Sequence, residues 1–222
     1  MFTPKAHIII IDGNAETGRN MLSFELAITL LYNAQRTALI LTDDSPLKEV
    51  LRKRKTILPE LLTPAIISRK NFYEEADKYN AIIIPHCCAT DELAVMASTY
   101  ITLLPKEKHS INEFKKNKAY LNSVFELKKK IAATYGHSLN WIICENNRQP
   151  TLADSPSVAL QKIAKLYGFR LAFPLNNRLP YQKNNQGISA QDKTLPFLSK
   201  ELTYEDIYAK REIIKLAEFI FS

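Results

Sequence analysis

Short continuous apolar runs alternate along the chain with longer segments whose apolar positions recur every three or four residues. Ala6–Ile11, Thr37–Thr42, Ala81–Ile84 and Tyr100–Leu104 are of the first kind, and Leu139–Cys144 and Phe169–Phe173 read the same way apart from Asn140 and Arg170. Such runs predict strands buried on both faces of a parallel sheet. Ala65–Ser68 predicts a shorter edge strand. Segments of the second kind predict helices. In Gly18–Ala34, Leu22, Leu26, Leu30 and Ala34 fall at spacing four, with Ala27 and Leu31 beside them. A second helix starts at Pro46 with Ser45 as its N-cap and runs into Arg52–Lys55. Further helices are expected over Asn71–Tyr79 and over Thr90–Ser98, the latter capped by Thr90. Asn112–Tyr135 predicts a long amphipathic helix, apolar along Leu121, Val124, Phe125, Leu127 and Ile131 and closed by Gly136. Ser157–Tyr167 is closed by Gly168, and Thr203 caps Tyr204–Phe221. Pro59–Pro64 is expected as a loop and Pro174–Leu202 as an irregular polar stretch.

Strands alternating with helices imply a doubly wound, mainly parallel sheet flanked by helices, a three-layer α/β fold. Its functional loops would lie at the carboxyl ends of the strands. Neither a repeat nor a linker interrupts the 222 residues, so one domain spanning 1–222 is expected. Hydrophobic residues at 46% and charged residues at 24% are ordinary globular values. The 5 glycines are few for a protein that wraps phosphates in glycine-rich loops. A formal charge of +7 suits an anionic partner such as DNA or an anionic membrane surface, and equally a solvated Lys-rich surface. Cys87, Cys88 and Cys144 are odd in number and two are adjacent, so no disulfide framework is implied. With no charged-then-apolar leader and no apolar run of about 18 residues, a cytoplasmic protein is expected.

The first strand leads into Gly13-Asn14-Ala15-Glu16-Thr17-Gly18-Arg19-Asn20-Met21, where a phosphate loop would lie. Such a loop needs glycine amides around the phosphates, a Lys on the β/γ-phosphates and a Ser/Thr hydroxyl on Mg²⁺. Gly18 is in place. Arg19 keeps the charge, but its longer planar head does not replace Lys without rearrangement. Asn20 and Met21 stand where the hydroxyl should be, and Glu16 would repel phosphate.

The surroundings resemble the ParA/MinD superfamily of P-loop ATPases, most closely its MipZ branch, which positions the division plane. On that resemblance Asn14 falls on the signature lysine, Arg19 on the loop lysine and Asn20-Met21 on the Ser/Thr pair. Leu26–Tyr32 is similar to a MipZ-like first helix. Thr42-Asp43 matches the end of the second strand, with Asp43 one of two acidic residues usual there and Leu41 at the other position. Ala81–Pro85 falls on the Walker B strand, with Pro85 in place of its Asp. Trp141–Asn146 resembles the strand whose terminal Asn reads adenine. Ala164–Arg170 and Leu175–Tyr181 look like MipZ's C-terminal third. The resemblance implies ATP and Mg²⁺ as ligands of Gly13, Asn14, Gly18, Arg19, Asn20, Met21, Asp43 and Asn146. Four groups that serve phosphoryl transfer are absent, and losing one such group typically costs orders of magnitude in rate. A pseudo-ATPase is therefore expected: a partitioning or division-site positioning factor acting through proteins and DNA, with a homodimer implied by the family. An active ATPase with a rearranged loop is the alternative.

Other residues support different chemistry. Pro85–Glu92 carries Cys87 and Cys88 between a strand end and a helix start, where a thiol can become a nucleophile in an unrelated α/β enzyme. His86 with the two Cys could seed a metal site, but the spacing lacks C-x-x-C and has no second cluster, so two small buried thiols are the plainer expectation. Arg52–Lys55 and the Lys115–Lys130 face could meet DNA backbone. The last helix has Ala209, Ile213, Leu216, Ala217 and Ile220 on one face. Its cations are balanced by Glu205, Asp206, Glu212 and Glu218, which favours packing on the sheet over a membrane.

Overall fold

The computed structural model describes residues 5–13, 17–57, 59–105, 108–146, 158–182, 184–198 and 202–222. Asn14, Glu16 and the expected helix start at Ser157 lie outside them. The strands are β1 (His7–Asp12), β2 (Thr37–Ile40), β3 (Ala65–Ile67), β4 (Ala81–Pro85), β5 (Thr99–Pro105), β6 (Asn140–Asn146) and β7 (Arg170–Leu171). They form a parallel sheet in the order β3-β2-β4-β1-β5-β6-β7. Successive residues of β1 serve opposite faces. Ile8 and Ile10 join one core and Ile9 and Ile11 the other. Both faces being covered, the run is continuous in sequence rather than alternating.

On one face lie α1 (Arg19–Tyr32), α2 (Leu47–Ile57) and α8 (Tyr204–Phe221). On the other lie α3 (Phe72–Glu75), α4 (Lys108–Lys116), α5 (Lys118–Tyr135) and α6 (Val158–Tyr167). The short α7 (Leu179–Gln182) packs beside α8. The arrangement is the expected three-layer fold of P-loop NTPase type. No helix among the described residues is long and apolar enough to cross a membrane.

Several local expectations change. The helix expected over Asn112–Tyr135 is broken at Asn117, whose side chain accepts from the Tyr120 N–H and starts α5 afresh. Asn competes well for backbone donors, so a break at Asn interrupts an otherwise helical pattern. Asp91, not Thr90, caps the 3₁₀ turn over Glu92–Met96. Ser45 makes no side-chain cap, and its buried hydroxyl has no partner among the described residues. Pro85 and Pro105 end their strands from within rather than stopping them. The run at Phe169–Phe173 pairs only over Arg170–Leu171. Thr203 does cap α8, in a reciprocal box with Asp206.

The stretch expected as irregular and polar is in fact partly an interior strap. Asp192 is fully buried and paired with Arg54, 2.8 Å from Nη2 to Oδ1. Asp192 also accepts from the Tyr32 hydroxyl and the Ser189 N–H. Glu25, inside α1, accepts from the Ala190 N–H, and Gln191 donates to Thr29. Burial pushes the Glu25 carboxyl up to about 8. Arg54 therefore does not belong to a DNA-facing run. It is turned inward, its guanidinium 5.7 Å from the Phe24 ring.

Candidate functional site

Parallel register brings the carboxyl ends of β5 and β6 level, with β1 ending three residues earlier. Asp12 lies opposite Thr102, and Pro105 opposite Asn146. Gly13 leaves β1 at this edge, and Thr17 and Gly18 lead into α1. Gly18, immediately before α1, has φ 83°, and a Cβ there would strike the Asn146 amide nitrogen. Gly13 is also required: a Cβ would sit 2.6 Å from Thr17 Oγ1 and 2.8 Å from the Leu103 carbonyl.

Of the residues expected here, Gly13, Gly18, Arg19, Asn20 and Asn146 converge on the loop. Asn146 is buried, and its Nδ2 donates to the Thr17 carbonyl at 2.6 Å. Asn20 Oδ1 accepts from His86 Nε2 at 2.8 Å, with the tautomer assigned from that contact. His86 sits at φ 63°, a left-handed conformation uncommon outside glycine. Burial, then the Arg19 guanidinium, lower its pKa, so the neutral ring donates to Asn20. Arg19 Nε is buried with no partner among the described residues. Met21 turns aside into a small cleft with Phe24, Leu47 and Tyr181. Asp43 is exposed and paired with Lys48 at 2.9 Å, so it does not point to the loop. Leu41 is buried in the core.

Beneath the loop lies a polar network that the sequence pattern did not suggest. Asp12 Oδ2 accepts from the Tyr100 hydroxyl at 2.6 Å and the Tyr120 hydroxyl at 3.0 Å. Asp12 Oδ1 accepts from the Gly13 N–H at 2.7 Å. Tyr120 is 2.8 Å from Thr102 Oγ1, which accepts from Trp141 Nε1 at 3.1 Å. Burial, with Asp12 close by, raises the pKa of both tyrosines. The one sequence signal was Asp12 itself, a carboxylate closing an apolar strand.

Of the two thiols expected to be buried, only Cys87 is; Cys88 is exposed, its Sγ 3.2 Å from Thr90 Oγ1, and the loop does not support nucleophilic chemistry at Cys87. Cys87 is buried, and burial with the nearby Asp91 raises its pKa. Cys144 is likewise buried and pushed up to about 12. No group of three or more metal-ligating side chains forms among the described residues.

No family model and no curated protein matches the chain. Its fold is similar to that of the MinD cell division protein of Aquifex aeolicus, at TM-score 0.59 and 14% identity, covering 97% of each chain. It is similar to apo McdA of Cyanothece, at TM-score 0.55 and 13% identity, over 94% of this chain and 99% of that one. A plasmid partition protein of Borrelia burgdorferi bound to AMPPNP aligns at TM-score 0.52 and 12% identity over 98% of each chain. At these identities the likeness establishes the shared fold.

Proposed function

We propose that this chain is a ParA/MinD-type partitioning or positioning factor, of the MipZ-like kind, that works by binding other macromolecules and not by turning over ATP. The fold spans nearly the full length of cell-division and plasmid-partition proteins, which supports the first half. One observation carries the second: the described residues at the end of the loop are engaged with the chain's own atoms. Asn146, at the family's adenine-reading position, is engaged with the Thr17 carbonyl. Asn20, at the Mg²⁺-hydroxyl position, is engaged with His86. The Asp12 carboxylate sits under the loop, where a phosphate would meet like charge. These residues do not fit Mg-ATP in the family's manner. Self-association is expected to be independent of nucleotide, because Asn14 stands where the family's signature lysine would be.

The charge distribution supports a polyanionic partner such as DNA. Residues 108–170 hold eleven Lys and Arg against four Asp and Glu, and the other residues hold nineteen of each. The whole excess of +7 thus falls on the segment that forms α4, α5 and α6. Lys116, Lys118, Lys130, Lys162 and Lys165 are exposed there, and α6 has no acidic residue.

Nucleotide titration tests whether the loop takes Mg-ATP. Millimolar Mg-ATP is expected to move the melting temperature by less than about 1 °C, with no phosphate release above background. A rise of several degrees accompanied by turnover would instead establish the rearranged-loop ATPase.

A further inference from the structure

A cavity of about 690 Å³ opens between the carboxyl ends of β1 and β5. Here the chain leaves β1 for α1 on one face and β5 for α4 on the other. That is the crevice where doubly wound sheets bind ligands. Leu103, Leu104 and Phe114 give it apolar walls, and Glu113 and Lys116 stand exposed at its rim.

The direction of the hydrogen bonds decides what it can hold. The Trp141 indole can only donate, so Thr102 Oγ1 accepts from it. The Thr102 proton is then left for Tyr120, and the Tyr120 proton goes to Asp12. Every proton in this relay is spent inward. Asp12 accepts three hydrogen bonds, from Gly13, Tyr100 and Tyr120, of the roughly four a carboxylate can take. The inner wall therefore offers acceptor capacity and no free donor from Tyr120 or Thr102. Among the described lining residues the charged groups are Asp12, Glu113 and Lys116, with Asp12 on the inner wall.

We propose that this cavity binds a small organic cation, a primary or secondary amine whose apolar body lies along Leu103, Leu104 and Phe114 and whose ammonium points to Asp12. Asp12 and Gly13 border both this cavity and the phosphate loop, so amine binding is read in the absence of nucleotide and stands or falls apart from the nucleotide titration.

Tyramine is a suitable probe, with 4-ethylphenol and 4-hydroxyphenylacetate as neutral and anionic bodies of the same shape. Calorimetry on the full chain is expected to show saturable binding of tyramine, weaker binding of the neutral analogue and none of the anion. Amide shifts on titration should centre on Leu103, Leu104 and Phe114. Asp12→Asn should weaken tyramine about tenfold or more, the worth of one charge-assisted hydrogen bond. If that variant fails to fold, Glu113→Lys, at the exposed rim, should still weaken it several-fold. Equal binding of all three probes, no saturable binding of tyramine, or indifference to the variant that folds would each overturn the proposal.

Discussion

Gly18 and Asn146 make a local lock whose two terms can be separated. The φ of 83° strains any residue with a Cβ, and the Asn146 amide fills the space the Cβ would need. Gly18→Ala is expected to lose about 1–3 kcal/mol of stability in urea unfolding. Adding Asn146→Ala should return part of that loss, by removing the clash but not the backbone strain. Full additivity of the two changes would mean that they do not meet. Glu25 offers a second test, in pH. Its carboxyl rises from an ordinary 4.5 to about 8 on burial, with Asp192 adding to the rise and the Ala190 N–H, Asn184 and Arg54 opposing it. A raised acid binds its proton more tightly when folded, so its stabilisation is present below 4.5 and drains away as pH climbs through about 8. Melting temperature should therefore decline across that window, and Glu25→Gln should flatten the decline. Parallel curves for the two proteins would show that the carboxyl titrates normally.

At the scale of elements, the strap over 184–198 depends on α1 and α2 through buried charge. Arg54 reaches the Leu62 and Gly187 carbonyls as well as Asp192. Arg54→Ala leaves Asp192 buried without its cation, at about 3–5 kcal/mol. Arg54→Lys keeps the charge but loses the fork that serves three acceptors, so an intermediate loss is expected. Denaturant unfolding gives the energies, and limited proteolysis should find cleavage within 184–198 in the Ala variant. Stability within about 1 kcal/mol of the parent would show that the pair is energetically neutral. The strap also marks where the sequence stops being legible. Strands and helices were legible because each run's period reports its own burial, as with Ile8–Ile11 inside two cores. Arg54 hides in a run of four cations because its partner lies 138 residues away. The Asp12 network joins residues 88 and 108 apart. Pairings of that reach leave no trace in periodicity. Asn117 was hidden differently: the apolar stripe continues across it, while its side chain ends one helix and starts another. For the site, family likeness pointed to Gly18, Arg19, Asn20 and Asn146, which do converge, but it could not say that Asn146 and Asn20 engage the chain's own atoms.

On the whole molecule, net charge and its placement make different demands. A chain of +7 with cations evenly mixed would attract polyanions weakly and from every side. Here α4, α5 and α6 share one face of the sheet, with the Phe125 and Tyr167 rings 6.1 Å apart and Lys128 Nζ donating to the Gly168 carbonyl, so the α5 and α6 surfaces adjoin. Lys129 is offset by Glu126, while Lys118, Lys162 and Lys165 are exposed and join none of the ion pairs among the described residues. A duplex of arbitrary sequence should bind this face, with affinity falling steeply between about 50 and 200 mM salt as phosphate counterions are released. Lys118→Glu, Lys162→Glu and Lys165→Glu together should reduce both the affinity and the salt slope, by about 0.9 in slope for each phosphate no longer neutralised. Lys53→Glu with Lys55→Glu, on exposed positions of α2 across the sheet, changes net charge too but leaves the basic face intact. If binding follows location, the α2 variant stays near the parent while the triple variant fails. If both fall in proportion to charge removed, the attraction is diffuse and the segregated face has no special role.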